Sequence, residues 1–138
     1  MPFRLQSGEY ATPLLRTDAS QPDRWSSLLA AVATPNPDGF LAYVTILTDP
    51  ELDGLDEDAI RRLPRHPSAS SFVLVADQRA QAVSGFAILV IDISEEALPS
   101  FRDSARCLWS VQNNLSLANL DWEDFSDNVE PDGVYRDC

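Results

Sequence analysis

Any chemistry of this 138-residue chain has to rest on one histidine, two cysteines and a large set of carboxylates. His66 stands in the loop Arg65-His66-Pro67, so a multi-histidine metal centre is excluded. A Ser–His or Cys–His nucleophile pair would have to use that one ring, and no G-x-S-x-G turn is present to present a serine. The unclustered Cys107 and Cys138 give neither a zinc ligand set nor a disulfide framework, so two reduced thiols are expected. Cys138 closes the sequence and is expected to be mobile. Asp18, Asp77 and Asp92 fall at or near the ends of three expected strands. Carboxylates converging beyond strand ends could hold Mg²⁺ and a phosphate, although a strand-end aspartate is also a common turn former.

All ten basic residues are arginine, which removes Schiff-base and phosphate-binding lysines and leaves incomplete any similarity to the plan of receiver and phosphatase domains. Five scattered glycines form no phosphate-cradling loop, so no nucleotide cofactor, and no cofactor of any kind, is expected. A formal charge of −12 argues against binding nucleic acid or an anionic membrane through a basic face. With 44% apolar and 23% charged residues the composition is that of an ordinary globular chain. The first twenty residues lack an apolar leader core, and no apolar run is long enough to span a bilayer, so a cytoplasmic protein is expected.

The elements that must position these groups read as an N-terminal arm, residues 1–12, followed by one domain, 13–138. Pro13 to Asp18 suits a strand. Ser20 can cap a helix with Pro22 in its first turn and Trp25, Leu28, Leu29 and Val32 on one stripe, stopped by Thr34-Pro35-Asn36-Pro37. Phe40 to Leu47 reads as a strand covered on both faces. A short helix is expected from Asp56 to Leu63, with acids at its start and arginines at its end, each favourable charge worth about 0.3–1 kcal/mol. After a Pro- and Ser-rich loop come strands at Phe72 to Ala76 and Phe86 to Ile93. The segment between them is too short for a dozen-residue crossover, so a hairpin or irregular join is expected. Ser100 to Asp103 suits an edge strand. Leu108, Val111, Leu115 and Ala118 form a helix stripe. Asn119 or Asp121 can cap a last helix carrying Trp122, Phe125 and Val129, which ends at Pro131-Asp132-Gly133. The order β-α-β-α-β-β-(β)-α-α predicts an α/β sandwich with a mixed β-sheet and flanking helices.

The acidity is not spread evenly. Residues 51–58 carry −5 and residues 121–138 carry −6, which leaves the other 112 residues at −1. Such blocks suit docking onto a basic protein, although acids also stabilise helix starts. Between Trp109 and Trp122 runs WSVQNNLSLANLDW, dense in amides and indoles. Exposed, it is a recognition surface; buried, it is a structural turn between two helices with core tryptophans. The candidate binding residues are therefore Trp109, Asn113, Asn114, Asn119, Asp121, Trp122, Glu123, Asp124 and Asp127, with no catalytic or metal-ligating residue assigned.

The strings LWSVQNNLSLANLDWEDFSDNV and PDGVYR, with LLRTDAS, DGFLAYV and LDGL upstream, resemble a family of uncharacterised small acidic bacterial domains. The resemblance covers about residues 13–136, is weaker over 64–86, and implies a shared fold with no chemistry to carry over. The expectation is a non-catalytic cytoplasmic binding module, possible as an inhibitor or immunity-type protein on a basic partner. The alternatives are an Mg-dependent enzyme using Asp18, Asp77 and Asp92, or a homo-oligomeric structural domain.

Overall fold

Apolar runs at Leu14–Leu15, Phe72–Ala76 and Ile88–Ile91 can escape water only as strands with cover on both faces, and they form the middle of the sheet. The computed structural model describes residues 3–8, 10–67 and 69–138; Met1, Pro2 and Glu9 of the expected arm and Ser68 of the serine-rich loop lie outside them. The strands are β1 (Thr12–Arg16), β2 (Val44–Leu47), β3 (Phe72–Ala76), β4 (Ile88–Asp92), β5 (Phe101–Asp103) and β6 (Val134–Tyr135). They lie in one six-stranded mixed sheet in the order β2-β1-β3-β4-β5-β6. β1 is parallel to β2 and β3, β4 is antiparallel to β3 and β5, and β5 is parallel to β6. Among the described residues five helices, α1 (Pro22–Val32), α2 (Glu57–Arg61), α3 (Gln78–Ala82), α4 (Leu108–Ser116) and α5 (Glu123–Ser126), complete a single α/β domain.

Strand alternation divides the apolar residues into two layers. Leu14, Leu74, Ile88, Val90 and Phe101 face a first cluster with Trp25, Leu28, Leu108, Trp122 and Phe125 of α1, α4 and the α5 region. Leu15, Val73, Val75 and Ile91 face a second cluster with Leu5, Leu52 and Ile60. Leu5 ties the arm down through its N–H to the Pro64 carbonyl and its carbonyl to the His66 N–H.

Four local expectations are corrected. Gln21, not Ser20, precedes α1, and Ser20 bonds Asp18 instead. Phe40 to Leu47 is not a strand covered on both faces: only its second half pairs, at the sheet edge, with Tyr43 and Ile46 exposed. Ser100 to Asp103 does not supply the edge, because β6 pairs outside it. Neither Asn119 nor Asp121 caps α5 with its side chain. In α2, by contrast, the acids act as the sequence suggests. Asp56 accepts from the Ala59 N–H at 2.9 Å, and Glu57 pairs with Arg61 at 3.5 Å. Asp56→Ala should lower stability by about 1 kcal/mol in urea unfolding, since it removes the cap that satisfies a helix-start N–H; no measurable change would contradict the assignment.

Candidate functional site

The three strand-end aspartates do not meet. Asp92 pairs in register with Phe72 at the start of β3, whereas Asp77 follows the end of that strand. Five residues of extended chain separate those levels, about 16 Å. Each is engaged locally. Asp92 accepts from the N–H groups of Ser94 and Leu98 at 2.8 and 3.0 Å. Asp77 caps α3 through the Ala80 N–H and takes both guanidinium nitrogens of Arg102, at 2.9 and 2.7 Å. Burial alone would raise Asp77, but the Arg102 bonds and the Ala80 N–H outweigh it and hold the carboxyl below its ordinary value. Asp18 is also lowered, first by the Gln21 side-chain amide, whose Nε2 donates at 3.0 Å. Among the described residues, no group of three or more His, Cys, Asp or Glu side chains is placed to hold a metal ion.

The Trp109–Asp127 stretch divides between support and surface. Trp122 is buried, donates its indole N–H to the Pro99 carbonyl at 2.9 Å and meets Phe72 and Phe101 edge-on. It carries the surface from beneath. Trp109 is half-buried and stacks on the exposed Phe40 ring at 5.3 Å. Asn113 donates to the Leu41 carbonyl at 3.1 Å, fixing the approach to β2, while Asn114 bonds back to the Ser110 carbonyl at 2.8 Å. Asn119 is exposed, and its backbone N–H closes the end of α4 on the Asn114 carbonyl. Asp121, Glu123, Asp124 and Asp127 are all exposed around α5; the Asp124 carboxylate accepts from the Asp121 N–H at 2.7 Å.

Three residues outside the expected set complete this surface. Tyr10, Tyr43 and Leu117 are 71%, 58% and 59% exposed and line, with Gln112 and Asn113, a recess of about 370 Å³. Gln112 organises it from below. Its buried amide accepts the Tyr43 N–H at 2.9 Å and donates toward the Tyr10 carbonyl at 3.0 Å and the Ser116 hydroxyl at 3.0 Å. One polar residue thus joins the arm, the entry to β2 and α4. Leu120, also exposed, lines a separate cleft with Asp121 and Glu96.

The two acidic blocks sit on opposite faces of the sheet. The first is anchored by Leu52 and Ile60 in the second cluster, and the other by Trp122 and Phe125 in the first. Much of their charge is used locally, in the α2 cap and in Arg136 bonded to Asp132 at 2.9 Å.

The cysteines are not two free thiols. Cys107 and Cys138 form a disulfide, which also anchors residue 138 rather than leaving it mobile. β5 and β6 run parallel, and each leads within a few residues into one of the two cysteines. Parallel pairing therefore supplies the proximity that 31 residues of sequence separation hide. Four residues before Cys107, Asp103 is fully buried with neither carboxylate oxygen hydrogen-bonded. Burial pushes its carboxyl well above the ordinary range, and the Arg106 cation opposes that only in part.

The model of the family described as a domain of unknown function, DUF6924, matches residues 11–138. No curated protein matches the chain. Among the described residues, no helix is long and apolar enough to cross a membrane.

Proposed function

The chain belongs to this DUF6924 family of domains of unknown function, and we propose that it is a bacterial, non-catalytic protein-binding module of the inhibitor or immunity type. The partner offers an apolar anchor surrounded by basic residues. The observation that carries this reading is where the apolar surface collects. Tyr10, Tyr43 and Leu117 share one recess at the end of α4, and the exposed Leu120 follows in the chain just before the acidic start of α5. Exposed aromatic and aliphatic groups gathered in one place favour a protein partner, because each loses unfavourable hydration on contact. The adjoining Asp121, Glu123 and Asp124 supply long-range attraction for a basic rim, raising the encounter rate above the neutral ~10⁵–10⁶ M⁻¹s⁻¹. Only the C-terminal acidic block takes part, since residues 51–58 cover the other sheet face.

Capture from lysate of the producing cells tests this reading with Tyr43→Ser/Leu117→Ser and Asp121→Asn/Glu123→Gln/Asp124→Asn beside the parent chain. The parent should retain one basic protein, less of it at high salt. The apolar variant should lose it at every salt concentration, and the charge variant should weaken capture about tenfold at low salt only. Equal capture by all three chains would refute the surface. So would light scattering that shows the recess closed by a second copy. In this reading the protein acts in the cytoplasm, where lasting structural disulfides are rare.

A further inference from the structure

We propose that Cys107–Cys138 is a thiol–disulfide exchange site for a small anionic thiol, because exposed Cys138 borders an open cleft beside Arg106 while Cys107 is buried. The proposal stands on this geometry and does not depend on the binding surface above.

The cleft has a volume of about 690 Å³ and lies between the Thr34–Asp38 turn, Arg106, Trp109 and Cys138. That is room for a ligand of peptide or cofactor-fragment size. Arg106 is fixed at its wall. One guanidinium nitrogen donates to the Arg136 carbonyl at 2.7 Å, and another donates to Cys138 Sγ at 3.4 Å. A cation at a sulfur stabilises the negative charge that builds there during exchange and attracts a thiolate or carboxylate from solution. Asp38 also lines the cleft, so a strongly anionic reagent meets one like charge as well as Arg106.

The two sulfurs are unequal. Cys107 is fully buried in the first cluster, so an incoming group reaches Cys138. Asp103 lies on the sheet face of Phe101, the face of that same cluster, four residues before Cys107. The groups around it are Arg106 on its own segment, Tyr135 opposite it in β6, Asp137 beyond, and apolar Ile88 in β4.

The reaction balances with the reagent as reductant. The thiolate sulfur bonds to Cys138 Sγ, and the Cys138–Cys107 bond breaks with its electron pair on Cys107. That sulfur takes up one proton from solvent. A second thiol then attacks the mixed disulfide and leaves with the first as their disulfide. Cys138 departs as a thiolate beside Arg106, and the second thiol's proton is released to solvent. The protein gains two electrons and one proton, and the two reagent sulfurs are oxidised together to a disulfide.

Glutathione on the full oxidised chain is the probe, with thiol labelling and mass spectrometry as readout. The bond should open at millimolar glutathione with the far-ultraviolet circular dichroism retained, and the first adduct should sit on Cys138. Arg106→Ala should slow opening about tenfold, with Arg106→Lys recovering most of the rate. Opening only in denaturant, a first adduct on Cys107, or an unchanged rate in Arg106→Ala would overturn the site. Should Arg106→Ala not fold, alkylation of Cys138 in Cys107→Ala decides. Reaction at a lower pH than an ordinary thiol supports the proposal, and an ordinary profile refutes it.

Discussion

Cys138→Ser should lower the free energy of unfolding by about 3–4 kcal/mol, and reductant should lower that of the parent chain by the same amount. The disulfide closes a loop between residues separated by 31 positions, and breaking it restores that loop's freedom to the unfolded chain. Cys138 is exposed, so serine there removes the cross-link with little loss of packing. The midpoint of thermal unfolding should fall by about 10–15 °C for a domain of this size. The loss should appear first in β6, whose only strand partner among the described residues is β5. Hydrogen exchange of Val134 and Tyr135 should accelerate before that of β3. Tyr135 packs edge-on against Phe125 at 5.1 Å, so loosening β6 also loosens the anchor of the acidic C-terminal block. A loss below about 1 kcal/mol in both measurements would show that the cross-link restrains little.

What was legible in the sequence follows from which forces act locally. Phe72–Ala76 is a strand with the boundaries expected, because a continuous apolar β-branched run has one good solution in a covered sheet. Pro22 and the Trp25, Leu28 and Val32 stripe locate α1 for the same reason. Phe40 to Leu47 misleads because an apolar run reports hydrophobicity and not burial. At a sheet edge Phe40, Tyr43 and Ile46 are exposed instead. The charge count fails similarly: residues 51–58 and 121–138 are blocks along the chain but lie on opposite sides of the sheet. The disulfide depends on β5 and β6 running side by side, and a two-residue strand such as β6 leaves no periodic trace. Gln112 lies in the Leu108, Val111, Leu115 helix with nothing local to distinguish it from a solvated amide. Asp103 did leave a signal. In Phe101-Arg102-Asp103 the period of two puts the carboxylate on the phenylalanine's face, which a reading of residue 103 as the tip of an edge strand overlooks.

That carboxylate gives the other large effect. The unfolded chain holds Asp103 near the ordinary carboxyl value of 3.8, while burial raises its pKa in the folded state. The folded protein therefore binds more protons across that window, and stability falls as pH rises through it. The stabilising protonated form is fully present below about pH 4 and is lost as pH passes the folded pKa. Asp77 has the opposite sign. Its Arg102-paired carboxylate is lowered, so its contribution is present above the unfolded value and is lost as pH falls through the folded one. Asp103→Asn keeps the shape and removes only the titration. Its unfolding free energy should match that of the parent near pH 4 and exceed it by a growing margin as pH rises toward 8. Asp103→Val removes the unpaired polarity as well and should be the more stable of the two at every pH. Urea unfolding at several pH values reads the difference directly. A constant gap between Asp103→Asn and the parent would mean that Asp103 does not titrate in the folded protein. A gap that grows with pH would mean that this chain retains, next to its only disulfide among the described residues, an acid that costs it stability.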